Sequence, residues 1–377
     1  MATAKKGRKR SGFVRILMIL NTLFVLLLLS SYAAPYISPE KYWIFAFSGL
    51  AYPVFLAVNV LFVLIWILSW NRFIWVPLIA ILLGFNHLTG IIHIRVPGSG
   101  KDSGKGIKVL TYNVHSLYGI SNTKITKGVR SKVTDFLIQQ KPDILCIQEF
   151  YIKSPDSTKV LERFAESLHL DNFFFKNYYL MKDSRKINAL TIFTRYPVAG
   201  SGFFQLKGRN VFAIYTDLLI GKDTIRVYNL HLESIRFGNE DYSFYSHLTE
   251  AETEKFDISG SSLKIFGKLK KAFIMRSQQV DILKESIRNS PHPVIICGDF
   301  NDTPTSYTYH ELSDGLSDSF RHSGKAFLGP TYAGTFPSFR IDFILFDPEF
   351  RVKSYQKYDV NLSDHYPVSA FIDTNAE

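Results

Sequence analysis

Cysteine is scarce: Cys146 and Cys297 are the only two in 377 residues. That excludes a disulfide framework and a thiolate metal cluster, and both positions read as small buried thiols inside strand-like runs. Acidic residues are almost missing from the first hundred positions, which hold nine Lys or Arg against Glu40 alone. The net charge of +11 therefore divides unevenly: residues 101–377 carry only +3 and give no electrostatic argument for nucleic acid. No arginine-rich insert and no internal repeat occur, which removes a DNA-reading arm and a solenoid from consideration.

Long apolar runs are concentrated at the N-terminus. Residues 13–32, 43–70 and 73–94 are each about the length needed to cross a hydrocarbon core of roughly 30 Å, and we read them as three transmembrane helices. Lys5, Lys6, Arg8, Lys9, Arg10 and Arg15 precede the first, so the positive-inside bias keeps the N-terminus in the cytoplasm. Three crossings then place the remainder outside the cytoplasm, as a multi-pass protein of the cell (inner) membrane. The first run also fits a cleaved signal peptide, and cleavage leaves the C-terminal part on the same side.

Residues 95–106, rich in Gly, Ser and Lys, read as a linker between an anchor (1–94) and a domain over 107–377. In that domain, apolar runs such as ILCIQEF, TIRVYNLHL, PVIICGDF and RIDFILF alternate with amphipathic segments, an α/β pattern with many strands. Helices are expected over Lys127–Gln140, ended by Pro142, and over the periodic set Phe266, Leu269, Phe273, Val280, Leu283 and Ile287. The other face of the second carries Lys264, Lys268, Lys270, Lys271 and Arg276, which reads as solvated or as a binding patch for phosphate or anionic lipid. From Glu233 to Ser262 no period is visible, and the segment is read either as a lid or as a surface excursion.

Polar residues punctuate the apolar runs: Asn113, Glu149, His231, Asp299 with Asn301, Asp342, and Asp364 with His365. A carboxylate at the mouth of an apolar strand is costly unless something pairs with it or a cation binds it. Phosphate-ester hydrolysis needs a cation, a base for the attacking water, and donors around the developing charge. Glu149 is the best candidate metal ligand, with Asn113 and Asp364 as helpers, and oxygen donors favour Mg²⁺ or Mn²⁺ over Zn²⁺. Asp299 is the candidate base. Strand alternation turns Asn301 to the same side and Phe300 to the core, and Thr303-Pro304 reads as the start of a helix. His231 and His365 are candidate donors, with Asp342 as the partner of His365.

The order Asn113, Gln148-Glu149, His231, Gly298-Asp299-Phe300-Asn301, Asp342, Ser363-Asp364-His365 resembles the endonuclease/exonuclease/phosphatase family, from Gly106 to the C-terminus. The resemblance implies a four-layer αββα sandwich of two mixed β-sheets. It also implies a metal ligand at Glu149 with Asn113 beside it and Asp364 near, a general base at Asp299 oriented by Asn301, and phosphate contacts from His231 and His365, the latter paired to Asp342. Thr194-Arg195-Tyr196-Pro197 resembles a further family element, although Asn188-Ala189 stands where members often have Gly. After Asn113 comes Val114-His115, where abasic-site endonucleases carry an acid, so a second carboxylate is not expected there.

The expectation is a membrane-anchored, Mg²⁺-dependent phosphoesterase. Its partners are the lipid bilayer and a phosphoester substrate: nucleic acid, a phospholipid headgroup or a soluble phosphate ester. The alternative is a non-catalytic receptor or scaffold that keeps the fold. No protein partner is legible.

Overall fold

The computed structural model describes residues 4–92, 106–117, 128–153, 156–179, 186–235, 258–323, 329–334 and 338–374. Most of the expected linker, 95–105, and most of the unpatterned segment, 236–257, lie outside the described residues.

The N-terminal helices begin with α1 (Ala4–Ala33), and Gly12–Tyr36, which continues through the turn after it, is the one continuous helix among the described residues long and apolar enough to span a membrane. A single turn, α2 (Pro39–Tyr42), follows. The other two expected spans are broken rather than straight. α3 (Ile44–Leu50) and α4 (Tyr52–Leu68) meet at 59°, while Arg72–Leu83, containing α5 (Trp75–Leu83), meets α6 (Phe85–Ile91) at 63°. Pro53 explains the first break: it has no N–H to give the Gly49 carbonyl four residues back, and its ring crowds that carbonyl. The second falls at Gly84, where a Cβ would lie 2.2 Å from the Tyr32 ring. Inside the bundle the Trp66 indole donates to Asn21 Oδ1 (2.9 Å), and Asn59 donates to the Phe24 and Phe55 carbonyls.

Gly106 starts a two-sheet sandwich. One sheet has the order β11-β12-β1-β2-β4-β3, the other β5-β6-β7-β8-β10-β9. The first comprises β1 (Ile107–Asn113), β2 (Ile144–Lys153), β3 (Asn172–Tyr179), β4 (Lys186–Thr194), β11 (Arg351–Lys357) and β12 (Val368–Asp373). The second comprises β5 (Val198–Gln205), β6 (Val211–Ile220), β7 (Asp223–His231), β8 (Val294–Asp299), β9 (Ser317–Asp318) and β10 (Asp342–Phe346). Each sheet is mixed: β1 runs parallel to β2 and β7 to β8, and the other pairings are antiparallel.

Both faces of the central strands are covered, so they read as continuous apolar runs. In β2, Ile144 and Cys146 enter the core between the sheets, where Cys297 of β8 also lies. Leu145 and Ile147 face α7 (Val129–Gln140) and α8 (Ser157–Ser167), meeting Leu137 and Leu161. The outer face of the second sheet packs on α9 (Ile258–Arg288) and α10 (Tyr307–Ser313) through Val280, Leu283 and Tyr309. The result is the expected order of helix, sheet, sheet, helix. Both cysteines are buried and unbridged.

Candidate active site

The two parallel pairs fix where the polar residues gather. Asn113 closes β1, His231 closes β7, and Asp299 closes β8 opposite both His231 and Asp342. His365 precedes β12, the antiparallel neighbour of β1, and so returns to the same end. Glu149 arrives by a different device. Between Ile147 and Phe150 the pairing with β4 slips, and Glu149 adopts φ 54°. Such a bulge re-aims a side chain that strict alternation would send elsewhere.

Asp299 sits at the centre, 1% exposed. Asn113 Nδ2 and Asn301 Nδ2 each donate to its Oδ2 at 3.1 Å, and the Asn301 backbone N–H donates to Oδ1 at 2.8 Å. Asn301 is past the strand end, at φ 52°, so a left-handed turn rather than strand alternation brings it beside Asp299. Phe300 is fully buried among Phe343 and Leu345. Gly298 has no substitute: at φ 135° its Cβ would lie 2.1 Å from the Leu230 carbonyl oxygen.

Two imidazoles flank this carboxylate. His231 Nε2 is 3.7 Å from Asp299 Oδ2 and 3.5 Å from Glu149 Oε1, with the Tyr178 ring 4.5 Å from its own. His365 Nε2 is 3.7 Å from the same Asp299 oxygen, while its Nδ1 is 2.9 Å from Asp342 Oδ2. Asp342 is held in turn, its N–H donating to Thr331 Oγ1. Ser363 donates to the Asn113 carbonyl and accepts from the His365 N–H, which ties the Ser-Asp-His turn to β1.

Glu149 and Asp364 stand on either side of the tight turn His115-Ser116, both at positive φ. Ser116 donates to Glu149 Oε2 at 3.2 Å, and His115 Nδ1 lies 3.1 Å from Asp364 Oδ1. Sequence reasoning gave neither His115 nor Ser116 a part, although they follow Asn113 directly. It also missed Tyr178 and the amide network behind the site, in which Gln148 donates to Asn229 Oδ1 (2.6 Å) and Asn229 donates to the Ile147 and Thr191 carbonyls. Asn229 was findable, since it shares a strand face with His231.

The electrostatics separate the groups. Burial pushes the Asp299 carboxyl up to about 6, with the two imidazoles pulling the other way. Burial alone would lower His365, but the carboxylates of Asp342 and Asp299 outweigh it and hold the imidazole well above its ordinary value. Burial opposes ionisation of Asp364, yet His115 and His365 keep its carboxyl below the usual range. Four carboxylates thus share one end of the sandwich, with histidines, amides and the hydroxyls of Ser116 and Ser363 among their described partners. That donor set, hard oxygens with a deficit of positive charge, fits a divalent cation. Asp299, Asp342 and His365 also lie close enough to hold one, with Nδ1 of His365 turned to Asp342 and Nε2 to Asp299. Glu149, whose Oε1 lies 3.5 Å from His231 among the described residues, is the more peripheral candidate ligand.

Two expectations change nearby. The helix expected from Thr303-Pro304 begins instead at Tyr307, capped by Ser306 accepting from the Tyr309 N–H. Arg276, grouped with the lysines of a solvated face, is 1% exposed and donates from Nε to Asp302 Oδ2 (3.0 Å) and from Nη1 to the Glu233 carbonyl. The acid three residues past Asp299 thereby gains a buried partner.

Two mixed sheets lie face to face, with acids, amides and imidazoles at one end, and this frame and site are those of a four-layer α/β sandwich. Residues 110–365 match the model of the Endonuclease/Exonuclease/phosphatase family, and the chain belongs to that family. Residues 14–91 match a domain of unknown function (DUF8431). Among solved structures, an endonuclease/exonuclease/phosphatase from Beutenbergia cavernae DSM 12333 shares the fold at 17% identity and a TM-score of 0.51, covering 71% of each chain. The mannosyl-6-phosphatase Bt3783 of Bacteroides thetaiotaomicron VPI-5482 aligns at 19% identity and a TM-score of 0.46, over 71% of this chain and 99% of that one. No curated protein sequence matches the chain.

Proposed function

We propose that this protein is a membrane-anchored, divalent-metal-dependent phosphoesterase with residues 1–94 as anchor and 107–377 as a catalytic domain outside the cytoplasm. The observation that carries the reading is Asp299: a buried carboxylate, fixed by two asparagine amides, set between two imidazoles in a member of this family.

Ionised Asp299 takes a proton from a water that attacks phosphorus in line with the departing ester oxygen. Asn113 and Asn301 keep both carboxylate oxygens in register for that transfer. His365, protonated beside Asp342, directs its Nε2–H at a phosphoryl oxygen, and His231 provides the second donor. Mg²⁺ or Mn²⁺, held by Glu149 with Asn113 and Asp364 nearby, supplies Lewis-acid neutralisation of those oxygens when bound. Tyr178 and Glu233 help line a cleft of about 180 Å³ beside His231, large enough for a small group on the ester.

The test is purified full-length protein assayed on duplex DNA, RNA, sphingomyelin, phosphoinositides and bis(p-nitrophenyl) phosphate. Hydrolysis lost in Asp299→Asn supports the reading, and no metal-dependent hydrolysis of any of them overturns it. A phosphatase reporter fused after Glu377 tests the orientation, since activity confined to the cytoplasm reverses it.

A further inference from the structure

The helix ends of the anchor touch the sandwich at the end that carries the polar cluster. Thr305, six residues past Asp299, donates to the Gly49 carbonyl at 2.8 Å, the same oxygen that Pro53 leaves without a helical donor. Arg340, two residues before Asp342, is buried, bidentate to Asp318, and donates to the Gly90 carbonyl at 3.0 Å in the last turn of α6. A Cβ on Gly90 would stand 2.9 Å from Cβ of Pro304. Consecutive Cα atoms are about 3.8 Å apart, so the Cα atoms of Arg340 and Asp342 are separated by at most about 8 Å.

The covalent connection does not impose this contact. The chain leaves α6 at Ile91, near Pro304, yet enters β1 at Ile107, at the opposite end of that strand from Asn113. At about 3.3 Å per residue, β1 separates the two ends by roughly 20 Å. A domain hanging from its connection would turn the cluster away from the helices; here it is turned onto them. The N-terminal half of α9 completes the contact, with Phe266 stacked on Phe47 at 4.2 Å and Lys270 over Trp43 at 4.6 Å.

The apolar boundary of the anchor lies at the same level. Tyr42, Ile44, Leu83 and Phe85 are each at least half exposed, and Ile44 is three residues, about 4.5 Å of helix rise, from Phe47. Past the bends at Ala51 and Gly84, Gly49 of α3 meets Thr305 and Gly90 of α6 meets Pro304, while His87 of α6 stays stacked on Tyr32 of α1. Lys264 and Lys271, exposed on the same half of α9, face outward where anionic headgroups would lie.

We infer that the N-terminal helices are a docking platform that holds the catalytic end at headgroup level, and that the substrate is the phosphoester of a lipid headgroup in the same bilayer. The inference rests on the phosphoesterase and membrane-anchor readings above. A lipid phosphate reaches the site by a short outward displacement, whereas a stiff polyanion would have to lie between the sandwich and the headgroup layer.

Two measurements on the full chain in nanodiscs test it. Gln278 Nε2 donates to Glu40 Oε1 at 2.5 Å, both near the surface, and the native cysteines are buried. Glu40→Cys with Gln278→Cys should therefore be joined by a short bismaleimide in intact membranes, and no cross-link overturns the docking whatever the activity. Phosphorus NMR on nanodiscs of mixed phosphatidylcholine, phosphatidylglycerol and phosphatidylinositol phosphate should show headgroup hydrolysis. Gly90→Leu, or Phe47→Asp where the leucine blocks insertion, should reduce it about tenfold or more by abolishing co-localisation, with bis(p-nitrophenyl) phosphate hydrolysis unchanged. Intact headgroups with hydrolysis of bis(p-nitrophenyl) phosphate, DNA or RNA overturn the lipid assignment and leave the phosphoesterase reading standing. A cross-linked protein that hydrolyses nothing overturns the phosphoesterase reading itself.

Discussion

Both halves of the molecule bury polar side chains in apolar surroundings, and they do it with different groups. The anchor buries Asn21, Asn59 and Trp66, neutral donors and acceptors that satisfy one another and a helix carbonyl. The polar end of the sandwich buries Asp299, Asp342, His231 and His365, ionisable groups set close together, with Nε2-to-carboxylate gaps of 3.5 to 3.7 Å. Neutral pairs have one state and fix geometry. Ionisable neighbours in low dielectric have several states near neutral pH, an arrangement that costs stability and suits proton transfer.

The largest expected effect comes from collapsing that difference at its centre. Asp299→Asn removes the ionisable group at the centre of that end, and hydrolysis of bis(p-nitrophenyl) phosphate should fall about 10²- to 10⁴-fold, the range for loss of a general base. The same variant should melt higher when metal-free at pH 7.5. The raised pKa means ionised Asp299 destabilises the fold, a penalty absent below its ordinary 3.8 and complete above about 6. Calorimetry at pH 7.5 and pH 4 checks this, and the gain should fade at the lower value.

Chelation comes next. Removing divalent ions with EDTA should abolish turnover and restoring Mg²⁺ or Mn²⁺ should recover it, with Glu149→Gln needing a higher metal concentration in a titration. In a pH profile, kcat/KM should fall about tenfold per unit below pH 6, as the base with a carboxyl pushed up to about 6 takes its proton. An unchanged rate at pH 5 would place the base elsewhere. The smallest effect belongs to the anchor: Asn59→Leu should leave hydrolysis of the soluble ester unchanged and lower stability by about 0.6 to 1.7 kcal/mol, read in a detergent melt.

How much of this was legible in the chain follows from how local each signal is. Apolar runs ending in Asn113, His231 and Asp299 announce buried strands with polar ends, because strand periodicity is written in consecutive residues. The alternating strands and helices gave an α/β pattern, and the layer order came from the family resemblance. The bends in the second and third apolar stretches were not legible from hydropathy, which registers composition and not direction; Pro53 and Gly84 were the available signs. The bulge at Glu149 and the left-handed turn at Asn301 depend on partners across the sheet. Arg276 was misplaced because it was grouped with the lysines by charge; its neighbours at helical spacing, Ala272, Phe273, Gln279 and Val280, are buried, and it pairs with Asp302 on that face. The Gln148–Asn229 pair joins residues 81 positions apart, and no spacing rule finds that.

The pairing of β1 sets a schedule for biogenesis. The strand that carries Asn113 takes one neighbour from β2 and the other from β12, the last strand described, with His365 immediately before it. During synthesis the first sheet therefore keeps an open edge at β1 until β12 has been made, and Asp299 waits until then for one of its two imidazoles. The polar cluster is assembled only when β12 has joined β1.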